Sequence, residues 1–246
     1  MDIFTLLPIG IVTGIISGYF GVGGGAILVP ILLLFGLDMK SAVSISIIQM
    51  FMGSVYGTYL NYKKDKVSLK DISFVTFGGL FGAQGSAFIV SSFSDFTLQI
   101  MLLSFLLLAM LRINKSVKKS DVKIEVSAIK LFVIGALIGL FAMSVGVGGA
   151  LMLIPILVGY LGFSTKKASA TGLVFVLFSS FSGVIGLGFS GILLLEDGIT
   201  VGLGALVGVY IGIKATSKSS DNLHKKLLMG LYLLVSAIVL YKLIIV

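Results

Sequence analysis

Long apolar runs alternate with short charged patches along this chain. Ten runs stand out, at 4–20, 22–37, 42–62, 72–91, 96–111, 129–145, 147–162, 168–189, 197–215 and 226–245. A helix needs ~20 apolar residues to cross a ~30 Å hydrocarbon core. Several runs, such as 22–37 and 147–162, are short for a full crossing. The longest polar stretch, Arg112 to Glu125, carries Arg112, Lys115, Lys118, Lys119 and Lys123. The pattern predicts an all-α polytopic membrane protein: a first repeat over 1–112, a basic cytoplasmic linker over 113–128 and a second repeat over 129–246.

The two halves share a spacing. Ile9-Gly10, Gly14, Gly21-Val22-Gly23-Gly24 and Pro30 recur 125 residues later as Ile134-Gly135, Gly139, Gly146-Val147-Gly148-Gly149 and Pro155. After one inserted residue the offset becomes 126. Gly36, Lys40, Ala42, Gly57, Asp71, Gly78, Gly82 and Asp95 then match Gly162, Lys166, Ala168, Gly183, Asp197, Gly204, Gly208 and Asp221. A register kept through most of each half with one gap marks an internal duplication.

Whether the repeats are parallel or inverted turns on residues 4–37. As one helix that stretch would measure ~50 Å at ~1.5 Å per residue, too long for one crossing, and Gly21-Val22-Gly23-Gly24-Gly25 interrupts it. Counted as two segments, it gives five per half and an inverted second half. The basic residues then divide 16 to 2 between the two sides, with only Lys40 and Lys242 on the minority side. Four segments per half would divide them 11 to 7. Lysine and arginine favour cytoplasmic loops. The expected fold is therefore two five-segment inverted-topology repeats with broken or re-entrant helices at the glycine-rich motifs. Basic loops are cytoplasmic, and both termini, Glu196 and Asp197 lie outside.

The motif Gly21-Val22-Gly23-Gly24-Gly25-Ala26-Ile27-Leu28-Val29-Pro30 and its twin Gly146-Val147-Gly148-Gly149-Ala150-Leu151-Met152-Leu153-Ile154-Pro155 carry the chemistry. Clustered glycines break helices. A broken helix survives at membrane depth only inside protein or beside a water-filled cavity. In an inverted repeat the two breaks approach from opposite faces, and paired breaks mark transporter binding sites. Helices restarting there offer free N–H groups and positive dipole ends. Two such ends make an anion site without a charged side chain. The acids Asp38, Asp71, Asp95, Glu196, Asp197 and Asp221 all fall at segment ends or loops. A cation carrier would place an acid at depth.

Substrate contacts are expected from Gly21, Gly23, Gly24, Gly25, Gly146, Gly148, Gly149 and Ala150 in the motifs. Ser17, Tyr19, Ser46, Gln49, Gln84, Ser144 and Thr171 are the side-chain candidates, with Ser44, Ser169 and Tyr210 further donors nearby. Pro30 and Pro155 read as structural. Gln49 and Gln84 are the costliest to bury without a partner. Serines and threonines can equally bond their own helix or a neighbouring one. Gly10, Gly14 and Gly18, with Gly204, Gly208 and Gly212, are spaced by four, the pattern of close helix packing.

Composition sharpens this picture. The chain has 246 residues, 57% hydrophobic and 11% charged, against ~25% charged in soluble domains. Its net charge of +8 sits in short lysine clusters between apolar runs, not on a basic stripe, so nucleic acid is not an expected partner. Lysine contact with lipid headgroups is. Absence of cysteine removes thiolate metal sites and disulfides. The single histidine, His224, falls in a Lys-rich loop and reads as solvated, without partners for a metal site or a catalytic triad. No metal, cofactor or enzymatic activity is expected. Met1-Asp2-Ile3-Phe4 lacks the positive start of a signal peptide, so the first span is expected from Leu6.

A glycine triplet followed five residues on by proline, then Lys40-Ser41-Ala42 and Lys166-Lys167-Ala168, all duplicated, resembles the sulfite exporter TauE/SafE family. The resemblance implies a cell-membrane permease for small anions such as sulfite, sulfoacetate or other organosulfonates. The family's paired Gly–Pro motifs fall on Gly21, Gly23, Gly24, Gly25, Pro30, Gly146, Gly148, Gly149 and Pro155. Ala150 departs from the pattern, which puts the equality of the two half-sites in question. Family thiosulfate carriers that depend on cysteine chemistry are excluded here. The reading is a secondary transporter for a small anion, with a cation or metal ion permease as the alternative; Met50, Met52, Met143 and Met152 are the soft ligands that alternative would use.

Overall fold

The computed structural model describes residues 1–63, 69–115, 127–160 and 162–245. Most of the linker, and the lysines at 64, 66, 118, 119 and 123, lie outside them. Eleven helices are described: α1 (Ile3–Phe20), α2 (Gly25–Leu34), α3 (Met39–Tyr62), α4 (Leu69–Gln84), α5 (Ser86–Ser92), α6 (Asp95–Lys115), α7 (Ala128–Ser144), α8 (Ala150–Tyr160), α9 (Thr165–Phe189), α10 (Leu195–Lys218) and α11 (Asp221–Ile245). Among the described residues there is no strand. Six helical stretches are long and apolar enough to cross a membrane: α1, α3, α4 with α5, α9, α10 and α11. The protein is thus an all-helical, multi-span membrane protein.

The ten apolar runs become helices, with two adjustments. The run 72–91 is divided at Gly85 into α4 and α5. The two short runs start later than their apolar limits, at Gly25 and Ala150. With ten residues, α2 is ~15 Å long and reaches only about half way through a membrane. The duplication is legible in local structure. Asp38 caps α3 by accepting the Ser41 N–H at 3.1 Å, and Ser164 caps α9 by accepting that of Lys167 at 3.2 Å.

Glycine contacts show which helices pair and in which sense. Gly10, Gly14 and Gly18 of α1 rest on Val201, Ala205 and Val209 of α10, so tightly that an added methyl would overlap their carbonyl oxygens. Both numbers rise together, so α1 and α10 run the same way. On α4 and α7, Gly78 meets Phe132 and Gly82 meets Ala136. That pair is the exchanged counterpart of the first and is also parallel. The four-residue glycine spacing thus serves close packing, with van der Waals contact in place of the hydrophobic drive that lipid removes.

Two further crossings complete the arrangement. Ile48 and Met52 of α3 lie on Gly198 and Gly202 of α10, a parallel pair. Phe175 of α9 lies on Gly79, and Gly186 on Ala87 of α5 just beyond α4, also a parallel run. Between the halves, Gly57 of α3 faces Leu173 of α9, and Ile47 faces Gly183. Here one number rises as the other falls, so α3 and α9 run oppositely. One trio (α1, α3, α10) therefore opposes another (α4, α7, α9), and exchanging the halves exchanges the trios. Each trio borrows its third helix from the other half.

Lys63, Lys166, Lys167, Lys214 and Lys218 fall near one common end of this bundle, where α3 and α10 finish and α9 begins. At the opposite end the N-terminal amine lies 3.8 Å from the Asp197 carboxylate.

Candidate functional site

The first break is made by three residues in the left-handed region: Gly21 (φ +72°), Gly23 (φ +85°) and Gly24 (φ +82°). Their equivalents Gly146, Gly148 and Gly149 adopt φ +70°, +77° and +77°. Side chains other than glycine pay for this conformation, so the motif's glycines are dictated by backbone geometry. The Gly21 N–H closes α1 by donating to Ser17 O at 2.8 Å, and the Gly24 carbonyl accepts from Ile27 and Leu28 as α2 begins. In the second half the Gly149 carbonyl accepts from Met152 and Leu153.

The two breaks meet inside the protein. Gly25, the first residue of α2, packs against the carbonyl oxygen of Gly146, and the Ser46 hydroxyl donates to that oxygen at 2.8 Å. Gly23 and Gly148 both press on Met50 and Val176, which are equivalent positions of α3 and α9. The motif residues are buried, except that Met152 is partly exposed. Among the described residues, no hydrogen bond engages the N–H groups of Gly24, Gly25 and Ala26, nor those of Gly149, Ala150 and Leu151. These are the orphan donors at the starts of α2 and α8.

Ala150 fits through an exchange of bulk. Gly25 faces Ser46, whereas Ala150 faces Gly172, the residue equivalent to Ser46. A methyl on Gly172 would stand 3.0 Å from the Ala150 methyl and 2.8 Å from the Gly21 carbonyl oxygen. Each half thus keeps one small residue at this contact.

The side-chain candidates separate into three groups. Ser17, Gln49 and Thr171 are fully buried, and their polar atoms have no hydrogen-bond partner among the described residues. The Gln49 amide lies against Gly24, with its nitrogen 2.8 Å from where a Cβ there would be. Its equivalent in the second half, Phe175, lies against Gly149. Ser46 spans the two breaks, as described. The remaining candidates lie elsewhere or are engaged. Ser144 donates to Leu140 O of its own helix at 2.7 Å, and Ser44 accepts the Leu194 N–H at 2.7 Å. Gln84 and Tyr210 are exposed, Gln84 on an outward face of the span that α4 and α5 form. Tyr19 is half-buried at the end of α1, away from the crossing of the breaks.

His224 corrects the sequence reading. It is not in a solvated loop but in the first turn of α11, with no exposed surface. Its ring stacks on Tyr19 at 5.0 Å and 22°, leans on Phe20 at 5.3 Å, and its Nε2 lies 3.0 Å from the Ser169 hydroxyl. The lysines around it in sequence hid two aromatic partners that come from the opposite end of the chain. Asn61 and Thr216, buried near the same place, also escaped notice. Each stands at the polar end of a span, where sequence alone cannot separate a buried amide or hydroxyl from a solvated one.

Two broken segments that meet between opposed trios of helices lie inside an integral membrane protein, and the proteins it is similar to give its class: a membrane transporter. The chain belongs to a known family within that class, since residues 6–239 match the family described as Sulfite exporter TauE/SafE. It is similar to "Probable membrane transporter protein YdhB" of Bacillus subtilis, 26% identical over 216 residues, covering 83% of this chain and 86% of that protein. It is also similar to "Probable membrane transporter protein MJ0441" of Methanocaldococcus jannaschii, 28% identical over 193 residues, covering 73% and 70%. No solved structure matches.

Proposed function

We propose that this membrane transporter is a secondary carrier for a small anion, of the sulfite, sulfoacetate or organosulfonate type. The observation that carries this reading is the meeting of the two glycine breaks. Two helix starts with unengaged N–H groups converge on Gly23, Gly148 and Met50, beside the unpartnered amide of Gln49. Aligned N–H groups and dipole ends favour negative charge. Gly21, Gly23, Gly24, Gly25, Gly146, Gly148, Gly149 and Ala150 supply the backbone, Ser17, Gln49 and Thr171 the unengaged neutral donors, and Ser46 the bridge between the breaks.

The opposed trios support an inverted-topology repeat, with basic loops cytoplasmic and both termini outside the cell membrane. Rocking of one trio against the other would open the site alternately. An inside-negative potential would drive an anion outward at ~2.3 kcal/mol per charge per 100 mV, so export needs no further energy source. For the cation alternative, Met50 is a soft donor at the crossing, and its equivalent Val176 is apolar. Among the described residues no group of three or more His, Asp or Glu side chains could hold a metal ion.

Transport in vesicles under an imposed potential tests the proposal. Efflux of sulfite or a sulfonate should rise when the compartment holding it is made negative. Flux that ignores the sign of the potential would overturn electrogenic anion export, and flux of a metal ion alone would favour the rival.

A further inference from the structure

A narrow recess opens at the lysine-bearing end of the bundle, where five helices approach one another. Gly18 and Tyr19 come from α1, Asn61 from α3, Lys166 and Ser169 from α9 and Thr216 from α10, while α11 buttresses the wall through His224. Its cavity volume of about 20 Å³ seats one water-sized group, such as a single oxygen atom of a larger solute. The recess borders the first glycine break, because Gly21 packs directly on the backbone of Ser169.

The polar groups here fall into two sets. Thr216 is engaged, donating to Tyr19 O at 2.8 Å, and Ser169 is engaged with His224. Asn61 is 4% exposed, and its side-chain amide has no hydrogen-bond partner among the described residues. Its amide borders the recess, where a solute oxygen can serve as its partner. Beside it, the half-buried Lys166 ammonium forms no ion pair among the described residues. Tyr19 completes the wall, its ring stacked on His224. No carboxylate lines the recess, so every unengaged group offers a proton to a hydrogen bond, and Asn61 can turn its amide to do so.

The duplication supplies an internal control. The residues equivalent to Asn61, Ser169, Thr216 and His224 are Leu187, Val43, Val90 and Leu98, all buried and apolar. At these four positions the site is polar at the basic end and apolar at the other, while Lys166 and Tyr19 keep polar counterparts in Lys40 and Ser144. Packing alone does not call for that conversion, because the apolar version is a working solution in the same molecule.

We propose that this recess is a second recognition point for a small oxyanion, in which Lys166 and Asn61 hold an oxygen of the solute at the basic end, on the flank of the first glycine break. The proposal rests on the anion reading above and adds a site to it. Ser169 and His224 act as positioning residues, holding the Tyr19 ring and the α9 wall. The same chemistry would accept the phosphate of a lipid headgroup, and the test separates the two sources.

The experiment uses the full chain purified in lipid-free detergent. Methanesulfonate and sulfate are titrated at constant ionic strength, with thermal stability as the readout, and the titration is repeated with added phosphatidylglycerol. Asn61→Leu installs the residue that the other half already accommodates. Asn61→Asp keeps the shape and adds a repelling charge, so it serves if the leucine variant folds poorly. Either variant, and Lys166→Gln, should weaken the dissociation constant about tenfold or more. Loss of response to the free anion assigns the recess to the solute. A response to phosphatidylglycerol alone, lost in the variants, assigns it to a lipid phosphate. If the wild type binds the anion and the variants bind it equally well, the recess is excluded while the anion carrier stands. If neither anion nor lipid stabilises the wild type, both readings fall.

Discussion

The two glycine breaks share one backbone and differ in what faces it. Left-handed residues fall at the same three positions in each copy, and Met50 and Val176 fill the space between them. Yet Gly24 faces the amide of Gln49, while Gly149 faces the ring of Phe175. Gly25 faces a serine, and Ala150 faces a glycine. Backbone geometry is thus duplicated, and polarity is concentrated on the first break. The scaffold requires symmetry to fold, whereas binding needs donors at only one point of it. A pair of helix starts provides positive potential from both sides, and one unpartnered amide then gives it direction.

This contrast can be broken at the backbone first. Gly21 combines a left-handed φ of +72° with direct packing on Ser169. Gly21→Ala should cost about 3–5 kcal/mol, strain and overlap together, seen as a large fall in melting temperature and loss of transport. Next comes the exchange of bulk. Gly25→Ala should cost about 1–3 kcal/mol by overpacking against Ser46 and the Gly146 carbonyl. Adding Ser46→Gly, which recreates the Ala150–Gly172 contact, should recover part of the loss in a double-mutant cycle. Additive costs would show that the two breaks do not compensate one another.

A smaller effect on stability, but a larger one on function, is expected at Gln49. Replacing a buried unpaired amide with hydrocarbon removes a desolvation penalty of about 1–3 kcal/mol. Gln49→Leu should therefore raise stability and lower anion affinity together, as binding sites commonly trade one for the other. A variant with unchanged transport would remove Gln49 from the site. Ser144→Ala should do least. Its hydroxyl bonds its own helix, so a change within ~0.5 kcal/mol and normal flux are expected. Reduced flux there would spread the donors over both breaks.

Much of this was legible in the sequence, for physical reasons. Hydrocarbon thickness fixes the length of apolar runs, and left-handed turns demand glycine, so the spans and both breaks could be marked residue by residue. The glycines spaced by four found their partners because backbones in lipid pack through small residues. Side-chain partners were less accessible. His224 was misread because Tyr19, Phe20 and Ser169 reach it from other helices, and Gln84 looked buried because the run of apolar residues around it does not say which face turns outward. Asn61 gave no signal, since an amide at the end of a span looks the same buried or hydrated. The Gln49–Phe175 difference was visible in the register, but its meaning required knowing that both residues face the breaks.

The central claim is that a negative solute passes where the two breaks meet. The chain has no cysteine, so Val176→Cys would carry the sole thiol at that point. Its labelling in vesicles can be compared between an anionic, sulfonate-bearing thiol reagent and a cationic reagent of similar size. The account predicts faster reaction with the anionic reagent and protection by the transported anion at concentrations that saturate transport. Faster reaction with the cationic reagent, or labelling that no anion suppresses, would contradict it.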